Sequence, residues 1–91
     1  MVIDLSLKSS IYTGCEIEEV AGRLNLTTKV DQAISIVGRN VNGLEIDREK
    51  VELTGPMAVW AYLIAFHAIV HRTREVWYND GRGCYLVAKH G

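Results

Sequence analysis

Met57 to Val70 is a run of 14 residues without an Asp, Glu, Lys or Arg, and Thr54-Gly55-Pro56 opens it. The run spells a helix. Thr54 or Gly55 can cap it, and Pro56 suits the first helical position, where its missing N–H costs nothing. The helix is expected to reach His71 or Arg72. Val59, Leu63, Phe66 and Val70 occupy one face and Trp60, Ile64, His67 and His71 another, so the helix is apolar nearly all round. A helix of that kind must be covered on two sides, by layers of its own domain or by a partner subunit. It is also shorter than the ~18 residues of a membrane span.

The remaining chain reads mainly as strands. Val2 to Lys8 alternates Ile3, Leu5 and Leu7 with Asp4, Ser6 and Lys8, the period of a strand with one buried face. Ser9-Ser10 and Thr13-Gly14 punctuate a turn, after which Cys15, Ile17 and Val20 continue into a second strand broken at Gly22. Leu24 to Ala33 fits neither period. Ile34 to Val37 looks like a strand, and Asn42-Gly43 before Leu44 and Ile46 is a hairpin signal because both residues tolerate positive φ. Asp47 to Lys50 is a charged turn and Val51 to Leu53 a short strand. Glu75 to Tyr78 and Cys84 to Ala88 then flank Asn79-Asp80-Gly81-Arg82-Gly83 as a second hairpin. No repeat or low-complexity segment appears, so residues 1–91 are expected to form a single domain.

At 91 residues, folding hides only roughly 60% of the unfolded surface, and self-association would help such a chain. Apolar residues make up 48% and charged residues 23%, an ordinary globular mixture. The net charge of -1 lacks the overall positive field that accompanies duplex-DNA binding. Charge is nevertheless uneven: residues 72 to 91 carry four Lys/Arg against two Asp/Glu, whereas residues 1 to 71 carry six against nine. A small anion near the C-terminal hairpin is better supported than a long nucleic acid. Cys15 and Cys84 stand alone, forming no zinc knuckle or disulfide framework. With no signal peptide evident either, a cytoplasmic setting without membrane attachment is expected.

His71, Asp80 and Arg82 form a polar set after the apolar run. Histidine exchanges protons near neutrality, Arg82 offers a planar fork for a phosphate as charge develops, and Asp80 can orient the histidine or hold a divalent cation. Thr54-Gly55-Pro56 adds a helix N-terminus, whose free N–H groups suit a phosphate. Each feature also has a plain structural reading. His71 can cap the helix C-terminus, Asp80-Gly81 is what a hairpin turn prefers, and Thr54-Gly55-Pro56 is a helix cap. His67, one turn from His71, is better read as a packed residue than as a metal ligand. Trp60, Tyr62 and Phe66 fit a core or interface better than a stacking platform.

Val51-Glu52-Leu53-Thr54-Gly55-Pro56, then Val59-Trp60, then His71, then Asp80-Gly81-Arg82 together resemble one class of small CRISPR-associated ring nucleases from type III systems. The resemblance spans the C-terminal half and rests on joint spacing. Gly81 stands where the family often has proline, and His90 only approximates its terminal histidine. The resemblance implies an α+β, ferredoxin-like sandwich with a mostly antiparallel sheet and one dominant helix. It also implies a homodimer, two of which can clasp cyclic tetra-adenylate, one binding the ring and the other cutting it. The implied activity is a phosphodiesterase that switches off the antiviral response; the alternatives are a manganese-dependent deadenylating exoribonuclease on RNA 3' ends and a noncatalytic nucleotide- or RNA-binding module. His71, Asp80 and Arg82 are the candidate catalytic residues. Thr54, Gly55, Pro56, Arg39 and His90 are candidates for substrate binding, and His71 and Asp80 for Mn2+.

Overall fold

The computed structural model describes residues 1–90. In chain order it contains β1 (Val2–Asp4), a 3-10 turn (Ser10–Tyr12), β2 (Ile17–Val20), β3 (Arg23–Leu26), α1 (Val30–Asn42), β4 (Lys50–Thr54), α2 (Val59–Ile69), β5 (Glu75–Asn79) and β6 (Cys84–Lys89). Four strands form the main sheet in the order β1-β4-β5-β6, and β2 and β3 pair separately. β1, β4 and β5 run parallel and β6 antiparallel to β5. A helix between two strands returns the chain to its starting end, so β1-α1-β4 and β4-α2-β5 have to be parallel crossovers. Ala88 pairs with Val76 and Leu86 with Trp77, which leaves Val87 as an extra residue in β6.

The helices pack on one face of the main sheet. Ile3, Leu5, Val51, Leu53 and Val76 point into the core and meet Val37 and Val41 of α1 and Ala65 and Ile69 of α2. Burying one such Val, Leu or Ile side chain stabilises by about 1.5–3 kcal/mol. Gly38 lets the helices approach, since a Cβ there would lie 3.1 Å from the Ile64 side chain. Tyr12 is buried beneath α1 and its hydroxyl donates to the Leu5 carbonyl; burial, followed by the charge of Asp4, pushes its phenol well above the usual tyrosine range. On the opposite sheet face, the Lys50 ammonium stands 4.7 Å from the Trp77 ring centroid.

The α+β sandwich is therefore present and is compatible with a ferredoxin-like arrangement. Several expected elements differ. Ile34 to Val37 lies inside α1, because Val30, Ala33, Val37 and Val41 sustain helical spacing beyond the four residues that alternate. Asn42-Gly43 ends that helix instead of turning a hairpin; Gly43 has φ −79°, so the positive-φ mechanism is not used. Hence two helices, of 13 and 11 residues, cover the sheet where one dominant helix was expected, and two of the three ladders in the main sheet are parallel. Leu24 and its neighbours supply β3, closing a hairpin through Ala21 and Gly22, both at positive φ. Pro56 is not the first residue of α2, which begins at Val59 after Ala58 with no side-chain cap. One side of α2 is left uncovered, Val59 being 71% and Leu63 64% exposed. Among the described residues no helix is long and apolar enough to cross a membrane.

Candidate functional site

The parallel strands place the loops after β4 and β5 side by side at the carboxyl end of the sheet. Gly55 has φ +109°, and a Cβ on it would come within 2.5 Å of Asp4 Oδ1 and 2.9 Å of the Ser6 N. Only glycine suits such a backbone. The Tyr62 hydroxyl donates to the Gly55 carbonyl at 2.6 Å, and the Thr54 hydroxyl to the Asn79 carbonyl at 3.0 Å. Beyond β5, Asp80 Oδ1 accepts the backbone N–H groups of Arg82 and Gly83, each at 2.8 Å. Those two donors hold the Asp80 carboxyl below its ordinary range. The result is an open cavity of about 360 Å³ lined by Thr54, Gly55, Pro56, Tyr62, Asn79 and Asp80. Arg82 is exposed in the same turn.

His71 belongs to the other end. It follows the last turn of α2 and stands exposed, its ring centroid 5.6 Å from that of His90. His90 reaches this place because β6 runs back along β5, and its N–H donates to the Arg74 carbonyl at 2.7 Å. The Arg72 guanidinium donates to the carbonyls of Asn42 at 3.2 Å, an open group at the end of α1, and of Leu44 at 2.6 Å, just beyond it. Arg39 is exposed in the last turn of α1. An open cavity of about 790 Å³ here is lined by Glu45, Ile46, Arg48, His71, Arg72 and Thr73. Arg48 and Thr73 were not among the sequence candidates. The charged stretch from Asp47 to Lys50 reads as a solvated turn until the parallel order of β4 and β5 is known.

The expected catalytic set is thus split. Six steps of strand separate Arg74 from Asp80, about 20 Å at the usual strand rise, and His71 and Asp80 lie beyond opposite ends of β5. A single chain brings Thr54-Gly55-Pro56 to Asp80-Gly81 and His71 to His90, but it does not bring His71 to Asp80 or Arg82. Asp80 cannot orient His71 in its own copy, and the two cannot jointly hold Mn2+ there. Among the described residues no group of three His, Cys, Asp or Glu side chains is placed to hold a metal. His67 is exposed on α2, in place of the packed position expected. Cys84, also exposed, donates its thiol to Glu52 at 3.2 Å; this bond to the carboxylate raises its pKa and lowers that of Glu52.

A third surface is apolar. Val59, Leu63, Phe66, Tyr78 and Val87 line an open groove of about 550 Å³ between α2 and the β5–β6 hairpin. Tyr85, Leu86 and Val87 are exposed along β6, an edge strand of the main sheet. The chain matches no protein-family model, no curated protein and no solved structure.

Proposed function

We propose that the protein is a cytoplasmic ring nuclease that cleaves the phosphodiester bonds of cyclic tetra-adenylate and so ends the type III antiviral signal. One observation carries the reading. The two motif segments Thr54-Gly55-Pro56 and Asp80-Gly81, separated in sequence by a helix and a strand, line a single cavity. That cavity opens beside the start of α2, where no side chain caps the first N–H groups, an arrangement that suits a phosphate. Arg82 in the adjoining turn supplies the fork that holds a nonbridging oxygen pair as charge develops.

His71, as the acid/base group, then acts from a different copy. Contact between the carboxyl end of one copy and the amino end of another would bring His71 to the phosphate held near Arg82. This division between binding and cutting copies follows the resemblance and accommodates the separation along β5. The apolar groove beside α2 and β6 favours a homodimer, because a two-fold pair would cover the same apolar groups on both copies at once.

A noncatalytic binding module is favoured by a different observation: Asp80 is already engaged by two backbone N–H groups. Incubation with labelled cyclic tetra-adenylate, with and without Mn2+, separates the readings. The nuclease gives linear products over many turnovers, whereas the module protects the ring stoichiometrically. Shortening of RNA 3' ends only when Mn2+ is added, with the ring intact, would favour the exoribonuclease. An intact ring at enzyme excess under both conditions removes the proposal.

A further inference from the structure

We infer that the cavity at the amino end of the sheet is a phosphate-binding site, held by Arg48 and Arg72 beside His71. The two arginines reach the cavity wall from different segments. Arg72 is fixed by its bonds to the Asn42 and Leu44 carbonyls, at 3.2 and 2.6 Å. Guanidinium has five N–H groups, so these bonds leave donors for a ligand. Arg48 lies just before β4, its carbonyl accepting the Arg74 N–H at 2.8 Å. Arg74 pairs with Glu49 at 3.6 Å, but Arg48 has no carboxylate partner among the described residues. The less obvious member is Thr73, only 5% exposed and yet part of the cavity wall. Its hydroxyl has one protein partner, the Glu75 carbonyl at 3.5 Å, at the outer limit of a hydrogen bond. It can turn to an anion at little cost.

These groups suit a tetrahedral oxyanion. Two planar forks and a hydroxyl can serve several oxygens at once, which one carboxylate does not present. Glu45 shares the wall and opposes an anion, but the wall carries two arginines and one carboxylate. The identity of the physiological phosphate rests on the ring-nuclease reading: a phosphodiester of the cyclic oligoadenylate, or the terminal phosphate of its linear product, would lie next to His71. Arg82 at the far end cannot serve that phosphate from the same copy. The capacity to bind phosphate does not depend on that reading.

Three histidines make this measurable. Inorganic phosphate is titrated at one pH and constant ionic strength while the His67, His71 and His90 ring resonances are followed by NMR. His71, with neighbouring His90, should shift saturably and His67 should not. Arg48→Gln should weaken the phosphate affinity about tenfold, the loss expected for one charge-assisted contact, and Arg48→Lys should recover part of it. An unsaturable His71 response, or equal affinity in Arg48→Gln, overturns the inference. Phosphate binding in a protein that leaves cyclic tetra-adenylate uncut keeps this site and discards the ring-nuclease reading. Ring cleavage with unchanged KM and unchanged phosphate affinity in Arg48→Gln does the reverse. Arg48 is exposed, and an unchanged amide spectrum outside the loop establishes that the variant is folded.

Discussion

The two ends of the main sheet use their polar residues differently. At the carboxyl end, Thr54, Asp4, Asn79, Asp80 and Tyr62 all make hydrogen bonds that shape neighbouring backbone or side chains. At the amino end, His71, His90 and Arg48 make no side-chain hydrogen bond among the described residues, whereas Arg72 fastens the end of α1 and Asp47 accepts the Glu49 N–H at 2.8 Å. A polar group already satisfied by the protein has less capacity for a ligand. The carboxyl end is therefore a shaped rim with Arg82 left to meet an anion, while the amino end presents several available groups. The contrast changes the weight of Asp80, whose carboxylate builds a turn, and raises that of Arg48.

The largest expected effect tests whether the ends cooperate. His71→Ala should lower cyclic tetra-adenylate turnover by about 10² to 10⁴, the usual worth of general acid/base help, with the denaturation midpoint nearly unchanged because His71 is exposed. If its partner group is Arg82 of another copy, Arg82→Ala should also be impaired, and an equal mixture of the two variants should recover activity. Random assembly restores both groups at about a quarter of the sites. A mixture as slow as its components would mean that the ends do not form a shared site.

Gly55→Ala probes the rim itself. Its new methyl would meet Asp4 and the Ser6 backbone at an already positive φ, so destabilisation of about 3 kcal/mol or more is expected in urea unfolding. The corresponding change at Gly22, which has open space around it, should cost less despite its positive φ. Similar losses at both positions would show that backbone strain alone, and not the packed rim, makes Gly55 necessary.

Much of this architecture is legible in local patterns. Alternation in Val51 to Leu53 and Glu75 to Tyr78 identifies strands, though not their inner place in the sheet, and the Asn79 to Gly83 turn announces the β5–β6 hairpin. The missed helix is instructive: Ile34-Ser35-Ile36-Val37 has β-branched residues and a strand period, but packing of Val37 and Val41 against the sheet overrides that local preference. Gly43 is equally ambiguous, since glycine closes helices as well as hairpins. For the site, the sequence offers the right residue types but not their distances. Whether nine residues from His71 to Asp80 fold back or run straight depends on β5 pairing with β4 along its whole length.

A smaller effect is expected from Arg82→Ala in binding. Loss of one phosphate fork should weaken cyclic tetra-adenylate affinity about tenfold, and the remaining affinity should respond less to salt, as one screened attraction has gone. Fluorescence titration at two salt concentrations reads both. Equal affinity would place the ligand away from the rim and leave the amino end as the stronger candidate.

The smallest effect concerns Asp80 and distinguishes a turn-building carboxylate from a ligand. Its pKa is depressed in the folded protein, because the Arg82 and Gly83 N–H groups favour the charged form. Such a group contributes its full stabilisation above the ordinary carboxylate value and loses it as pH falls through the lower folded value. Asp80→Asn can keep an oxygen acceptor but has no charge to lose. Wild type should therefore be slightly more stable than Asp80→Asn near neutrality, and the gap should close as the solution is acidified below the ordinary aspartate range. Parallel urea curves over that interval read the gap directly. A gap that stays constant would mean the two N–H groups do not discriminate between carboxylate and neutral oxygen, and the turn would no longer account for the carboxylate at position 80.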